Sequence, residues 1–244
     1  MEFFSLIAEE SFNTDDSTGA IVTGFGMGRV SIGDKLYFYH PSKKVITAEV
    51  KSILVGADEY QGSANNQPVA LEFTGLRKGD ISKFTVLSNL DKVLVPTAQQ
   101  TYNNPEILGL LYGFNKFSKD TRFLTTLVYY LTHGKFLVEV ETDAEPAIRG
   151  EQAVLPKGMK MGIPAIKNTD GKTAIPIFTD QATSNLGQKL TNTDIRKMML
   201  IDMDRAAKAS ANQYDGVVLN PYGPVPFFMD NSYLKQLGVM PKKK

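Results

Sequence analysis

The sequence predicts two domains, an all-β barrel followed by an α+β domain. Residues 1–94 hold short runs of β-branched and aromatic residues separated by Gly-containing turns, with no amphipathic helix among them. From residue 102 onward, helical apolar stripes are mixed with short strands. A polar stretch at 90–101, which contains Pro96, separates the two patterns and is predicted to be a linker. We therefore predict domains at 1–94 and 102–240.

The predicted barrel is organised around the segment GAIVTGFGMGRVSIGDKLYF at residues 19–38. We read this segment as two strands joined by a Gly-rich turn, then a Gly-Asp turn that leads into a third strand. A first strand precedes it near Phe3 and Phe4. Further strands are predicted at 44–54, 68–73 and 81–87, because each is an apolar run bounded by turn residues.

Two stretches imitate nucleotide-binding loops without meeting their requirements. In the first, Gly24, Gly26 and Gly28 begin a dinucleotide fingerprint, but its third glycine falls on Arg29, and a strand follows where a helix N-terminus is needed. The second, 171–173, has the Gly-Lys-Thr of a P-loop but has Ile166 where that loop needs glycine. We interpret both as turns, the second in a hairpin.

The first domain resembles the second domain of elongation factor Tu and related translational GTPases. The resemblance lies in GAIVTG, then G-x-V-x-I-G-D-x-L, then PVALEFTGLRKGDISKFTVL, in the family's order and spacing over residues 1–90. It implies a closed β-barrel. In those factors the barrel contacts aminoacyl-tRNA and packs on a nucleotide domain. No nucleotide-domain motif stands in this chain, which favours a docking or stabilising role for the barrel.

Residues 102–240 are predicted to form an α+β domain. One helix begins at Asn104 and Pro105, and a second is capped by Ser118 and ends at His133. Later helices are predicted at 179–190, at 204–213 and after residue 230. Residues 141–158 are predicted to be a loop, and 159–166 with 173–178 a hairpin. The remaining predicted strands are 136–140, 198–203, 216–219 and 226–229.

This second region resembles the N-terminal domain of the SseB (enhanced serine sensitivity) family. The resemblance lies in IPIFTD, MMLIDMDRAAKA and YDGVVLNPYGPVPFFM, of which DGVVLNP is the most specific piece. It covers about residues 102–240. It implies a fold and no catalytic residues.

Composition excludes several classes of function. The chain has no cysteine, which excludes thiol catalysis, disulfides and Cys-based metal sites. No apolar run approaches the roughly 20 residues of a membrane-spanning helix, and residues 1–11 lack the features of a secretory signal. We therefore expect a cytoplasmic protein. Residues 1–98 carry nine Lys and Arg against twelve Asp and Glu, and the remainder eighteen against fourteen, so the charge does not favour nucleic-acid binding.

Few residues suit catalysis, and we predict no catalytic residue, no metal ligand and no cofactor. The two histidines, His40 and His133, lie far apart in sequence. Polar residues do follow several predicted strands, where ligands bind in mixed α/β sheets. They form a possible binding rim of Asp180, Asp202, Asp204, Asp215 and Asn220. Each also suits a helix cap or a turn, and this structural reading is favoured.

Three hypotheses for function follow. The favoured one is a non-enzymatic cytoplasmic binding or scaffold protein of the SseB type, whose partner is another protein. The first alternative is a translation- or RNA-associated factor, which predicts a basic stripe on the barrel centred on Arg77, Lys78 and Lys83. The second alternative is an enzyme that uses the rim carboxylates. The oligomeric state is not predicted.

Overall fold

The computed structural model divides into two compact units, Met1–Leu131 and Thr132–Lys244, and each is described by itself. The structure describes residues 3–56, 59–96, 100–143, 147–149, 152–154, 158, 160–191, 197–211 and 213–239. Parts of the predicted linker (97–99) and the lysine tail (242–244) lie outside the described residues. No helix among the described residues is long and apolar enough to cross a membrane.

The first unit contains a closed antiparallel barrel, which confirms the predicted barrel. Its strands are β1 (Ser5–Ile7), β2 (Glu10–Asn13), β3 (Gly19–Ser31), β4 (Lys35–Tyr39), β5 (Ile46–Val55), β6 (Glu59–Gln61), β7 (Ser63–Thr74) and β8 (Val86–Ser88). Six of them close the barrel in the order β1-β8-β4-β5-β7-β3, with β3 paired back to β1. Two short strands lie outside this ring, since β2 pairs with β3 and β6 with β5.

The central segment corrects the sequence reading, because Gly19–Ser31 is one strand and not two strands joined by a turn. A bulge lies between Gly26 and Arg29, where the register against β7 shifts. Gly28 has a φ of +81°, which non-glycine residues rarely adopt. At Gly24 a Cβ atom would lie 2.4 Å from the carbonyl oxygen of Ile7. The glycines therefore allow β1 to lie against a bent β3, and they form no nucleotide-binding loop.

Alternating side chains of these strands fill the barrel interior, as expected for a small closed barrel. Phe38 and Phe73 meet edge to face with ring centroids 5.0 Å apart. The buried side chains of the barrel core include Phe4, Leu6, Val22, Leu36, Phe38, Ile53, Leu71, Phe73 and Leu87.

Two helices, α1 (Pro105–Phe117) and α2 (Thr121–His133), follow the barrel. The rings of Phe117 and Phe123 both pack edge to face on Phe84 of the barrel, at 5.4 and 5.5 Å between centroids. The predicted cap of α2 is wrong. Ser118 ends α1, whereas Asp120 accepts a hydrogen bond from the backbone N–H of Arg122 at 2.9 Å and so caps α2.

The first turn of α1 holds a buried carboxyl group, Glu106, which is 0% exposed. Its Oε1 accepts a hydrogen bond from Lys92 Nζ, and its Oε2 has no hydrogen-bond partner among the described residues. Burial raises the pKa of Glu106, and the nearby Lys92 partly opposes that rise. Burial also raises the pKa of Tyr39, Tyr102 and Tyr130, and the Glu106 charge raises each further. The carboxyl group thus lies in poorly solvated surroundings with one cationic partner.

The second unit is built on a mixed sheet. Its strands are β9 (Lys135–Thr142), β12 (Met161–Gly162), β13 (Ile166–Lys167), β14 (Thr173–Phe178), β15 (Lys197–Asp202), β16 (Gly216–Leu219) and β17 (Phe227–Asp230). The strand order is β12-β9-β14-β16-β17, and β13 pairs with β14 and β15 with β9. β14 and β16 run parallel, and the other pairs are antiparallel. This mixed α and β architecture confirms the predicted class.

Two strand predictions in this unit need correction. The segment predicted to be a loop contains a small antiparallel hairpin, β10 (Ala147–Arg149) with β11 (Gln152–Val154). The first arm of the predicted 159–178 hairpin is also shorter than expected, because Met161–Gly162 pairs with β9 and only β13 pairs with β14. The turn between β13 and β14 is as predicted, with Gly171 at a φ of +80°.

The two faces of this sheet differ in burial at β17. One face carries side chains that are all 0% exposed, namely Ile175, Ile177, Val217, Leu219 and Met229. Helix α4 (Met203–Ser210) contacts β14, β15 and β16, and α5 (Asn231–Gln236) contacts β16 and β17. Ala174, Val218 and Phe228 belong to the opposite face by strand alternation, and Phe228 is only half-buried. Helix α3 (Gln181–Thr191) directly follows β14.

Candidate functional site

A buried polar network lies where the parallel strands β14 and β16 end. Thr179, Asp180, Thr183 and Asn220 form it, and all four side chains are buried. The Asn220 amide oxygen accepts from the backbone N–H of Thr179 at 2.9 Å and from the Thr183 hydroxyl at 3.2 Å. Its amide nitrogen donates to the Thr179 hydroxyl at 2.9 Å. The network therefore joins the ends of both strands to the first turn of α3.

Asp180 belongs to this network as the cap of α3. One carboxylate oxygen accepts from the backbone N–H of Thr183 at 2.8 Å, and the other from the Thr179 hydroxyl at 2.7 Å. These are the bonds of a helix N-cap in a dry environment. Both oxygens are hydrogen-bonded within the protein, so the carboxylate has a structural task already.

The structure brings together only two of the five predicted rim residues, Asp180 and Asn220. Asp202 caps α4 through the N–H of Arg205 at 2.9 Å, and Asp204 forms an exposed ion pair with Lys208 at 2.5 Å. Strand β9 separates their strand from β14. Asp215 precedes β16, at the opposite end of that strand from Asn220. There its Oδ2 accepts from the backbone N–H of Thr173 at 2.7 Å.

Asn220 also shapes the loop that follows β16. Its φ of 50° lies in the left-handed region, which asparagine tolerates better than most residues. Its carbonyl accepts from the N–H of Gly223 at 2.9 Å and closes a tight turn. That turn holds Pro221 and Tyr222, whose ring lies 2.5 Å from where a Cβ of Gly187 in α3 would stand. The DGVVLNP segment thus fixes the position of Tyr222.

Beside this loop lies a cleft of about 460 Å³, which we call the lysine cleft. It lies on the face of the sheet to which Phe228 belongs, between the β13–β14 hairpin and the loop after β16. Ala174, Val218 and Phe228 line it, together with Pro221, Tyr222 and Pro226. Its polar lining comes from the hairpin: Lys167, Asn168, Thr169 and Lys172.

The charge of the lysine cleft is positive. Lys167 and Lys172 are its only charged lining residues among those that the structure describes. The ammonium of Lys172 lies 5.6 Å from the ring centre of Phe228, a cation–π contact. The sequence places Lys172 in a predicted hairpin turn but gives no signal for Lys167. It does not show that Lys172 faces Phe228, which belongs to a strand two places from β14 in the sheet.

The two histidines take no part in these sites. His40 Nδ1 lies 2.9 Å from the Ser42 hydroxyl, and burial together with Lys43 lowers its pKa. His133 is the last residue of α2, as predicted. Within the described part of the chain, no three His, Asp or Glu side chains are placed to hold a metal ion.

Comparison with protein families identifies the second half of the chain. The model of the SseB protein N-terminal domain matches residues 111–236, which is just over half of the chain. The chain belongs to the SseB N-terminal domain family. The matched residues include the buried polar network and the lysine cleft, so both are features of the SseB domain.

Other comparisons add little. A search of curated proteins found no match. Among solved structures, the C-terminal domain of a putative U32 peptidase from Geobacillus thermoleovorans matches with 18% identity and a TM-score of 0.27, over 34% of this chain and 89% of that one. Its selenomethionine variant matches with 18% identity and a TM-score of 0.26, over 33% and 95%. Likenesses this weak carry no argument about fold or function.

Proposed function

We propose that this protein is a non-enzymatic binding or scaffold protein that docks another protein in the lysine cleft of its SseB domain. The observation that carries the proposal is that the polar side chains of the predicted rim already have partners within the protein, whereas those of the lysine cleft are exposed. Four of the predicted rim residues serve as caps, ion pairs or network members, and Asp215 accepts from the backbone N–H of Thr173. The cleft, in contrast, presents exposed lysines beside half-buried apolar side chains. Such a surface suits recognition better than proton transfer.

The barrel supports protein binding over RNA binding. The RNA alternative predicts a basic stripe around Arg77, Lys78 and Lys83. Lys78 and Lys83 line a barrel cleft of about 620 Å³, but Glu9 and Glu10 line it too. Lys83 Nζ also lies 3.8 Å from an Asp120 carboxylate oxygen. Because two glutamates share the lining of this cleft with its two lysines, the cleft offers little net attraction to phosphates. The kinship of the barrel to elongation factor Tu remains a prediction.

A photo-cross-linking experiment in the native cell tests this function. A benzophenone amino acid replaces Thr169, an exposed lining residue of the cleft, and in a matched control replaces Gln236, an exposed residue of α5. We expect one defined protein to be cross-linked from position 169 and not from position 236. The same pattern from both positions, or none from either, would contradict the proposal.

The enzyme hypothesis has its own test. A turnover by the purified protein that is lost in Asp180→Asn, with thermal unfolding unchanged, would overturn a non-enzymatic role.

The proposal places the protein in the cytoplasm, in keeping with a chain that has no cysteine.

A further inference from the structure

The lysines of the cleft are available to a partner. Lys167 and Lys172 are both exposed, and neither forms an ion pair with any carboxylate in the described part of the chain. They stand on the two arms of one hairpin, where the N–H of Asn168 donates to the carbonyl of Lys172 at 2.9 Å. Asp170, at the tip of the turn, does not line the cleft. Two cations close together therefore face the cleft without a matching anion.

The opposite wall of the cleft is apolar. Tyr222 and Phe228 present half-buried rings; Pro221 directly precedes Tyr222 in sequence, and Pro226 lies between the two aromatic residues. Aromatic rings and prolines that line a groove suit an extended peptide, whose backbone needs little ordering on binding. The turn closed by Asn220 holds this wall in place before any partner arrives, which lowers the entropic cost of binding.

We infer that the lysine cleft binds a short acidic segment of a partner protein, with carboxylates at Lys167 and Lys172 and an apolar side chain against Phe228. This inference rests on the proposed function and names the class of segment bound. A single-stranded nucleic acid fits less well. Stacking of a base needs a whole open aromatic face, and the Lys172 ammonium, 5.6 Å from the centre of the Phe228 ring, covers part of that face. A smaller apolar side chain needs only the remaining part of the ring.

Fluorescence anisotropy with a defined probe tests the inference. The probe is a fluorescein-labelled nonapeptide, Glu-Glu-Phe-Pro-Glu-Glu-Phe-Pro-Glu, and its counterpart carries Gln at every Glu. The full-length protein is compared with Lys167→Gln, Lys172→Gln and the control Lys235→Gln, an exposed lysine of α5 outside the cleft. Thermal unfolding of each variant shows that the fold is kept.

We expect the Glu peptide to bind and the Gln peptide to bind more weakly. Each cleft variant should raise Kd about fivefold, since one partly exposed ion pair contributes about 1 kcal/mol, and Lys235→Gln should leave Kd unchanged. Added salt should weaken binding. Equal binding of both peptides, or equal loss in all three variants, would overturn the inference. So would displacement of the probe by a uridine oligonucleotide at lower concentration than the unlabelled Glu peptide.

Binding of a protein in the cleft and binding of an acidic segment there are tested separately. If the cross-link from position 169 persists in Lys167→Gln and Lys172→Gln and the Glu peptide does not bind, the acidic class is wrong while protein binding stands. If no protein is cross-linked from position 169, the proposed function fails whatever the peptide does.

Discussion

Replacing Lys92 with Met should destabilise the fold, because it leaves the buried carboxyl group of Glu106, at the start of α1, without its cationic partner. Glu106 is 0% exposed, and Lys92 is its only hydrogen-bond partner from another side chain among the described residues. Removing one partner of a buried ion pair typically costs about 3–5 kcal/mol, because the other charge is left uncompensated. The destabilisation has an upper limit, because Glu106 can instead bind a proton and become neutral. At pH 7 this protonation costs about 3.5 kcal/mol, at about 1.4 kcal/mol per pH unit above the ordinary pKa of a glutamate.

The sign of the pH dependence follows from the direction of the pKa shift. Burial raises the pKa of Glu106 in the folded state, so the folded protein holds this proton more tightly than the unfolded chain does. The contribution of Glu106 to the stability of the fold is therefore greatest below the ordinary pKa of a glutamate, and it falls as the pH rises towards the folded-state pKa of Glu106. Lys92 opposes the shift, so Lys92→Met should raise the folded-state pKa further. The deficit of the variant should therefore be small near about pH 5 and grow towards about pH 8.

Urea unfolding followed by tyrosine fluorescence measures this effect, because the chain has ten tyrosines and no tryptophan. Glu106→Gln is the matched variant, and it should cost only about 1 kcal/mol because Lys92 can reach water and the amide can still accept a hydrogen bond. In the double variant the Lys92→Met deficit should shrink by about 2 kcal/mol or more. A deficit below about 1 kcal/mol that does not change with pH would refute the reasoning.

Three further predictions concern stability. Asn220→Ala should cost about 2–3 kcal/mol in urea unfolding, because buried hydroxyl and N–H groups lose their partner, and Asn220→Gly should cost less because it relieves the positive φ. Gly109→Ala should lower the free energy of unfolding by about 1–3 kcal/mol, because the new Cβ would lie 2.5 Å from both the Ser5 hydroxyl and a Val86 methyl group. The control is Gly79→Ala, whose Cβ would have no atom within 4 Å and which should leave the melting temperature unchanged. Asp202→Ala should cost about 1 kcal/mol as a lost N-cap, whereas Asp204→Asn should change unfolding by less than about 0.5 kcal/mol; the reverse order would contradict both assignments.

The sequence predicted correctly those helices, strands and turns that are determined by residues close together in the chain. The barrel strands, the 168–171 turn and the helix ending at His133 all follow from alternation, turn residues and termination signals. The errors arose where two readings compete. Glycines at a bulge resemble glycines in a turn, so β3 was divided in two. Ser118 and Asp120 both suit an N-cap, and Asp120 is the cap because α2 begins at the next residue, Thr121.

The candidate site was harder to predict because it depends on strand order. Asp180 and Asn220 meet because β14 and β16 pair in parallel, whereas Asp202 is set apart by the intervening β9. The lysine cleft needs the hairpin, β16 and β17 to lie side by side. No residue pattern within any one of these segments contains that information.

Closure of the barrel has a consequence for biosynthesis. Ser5 of β1 pairs with Ser88 of β8, so the ring cannot close until the last strand has left the ribosome. At about 5–20 residues per second, synthesis of the intervening chain takes about 4–16 s. During that interval β1 lacks its β8 partner, as does β4 once it has been made, and such unpaired strand edges invite pairing with other chains. A nascent chain of this protein is therefore expected to need shielding by a chaperone until β8 emerges.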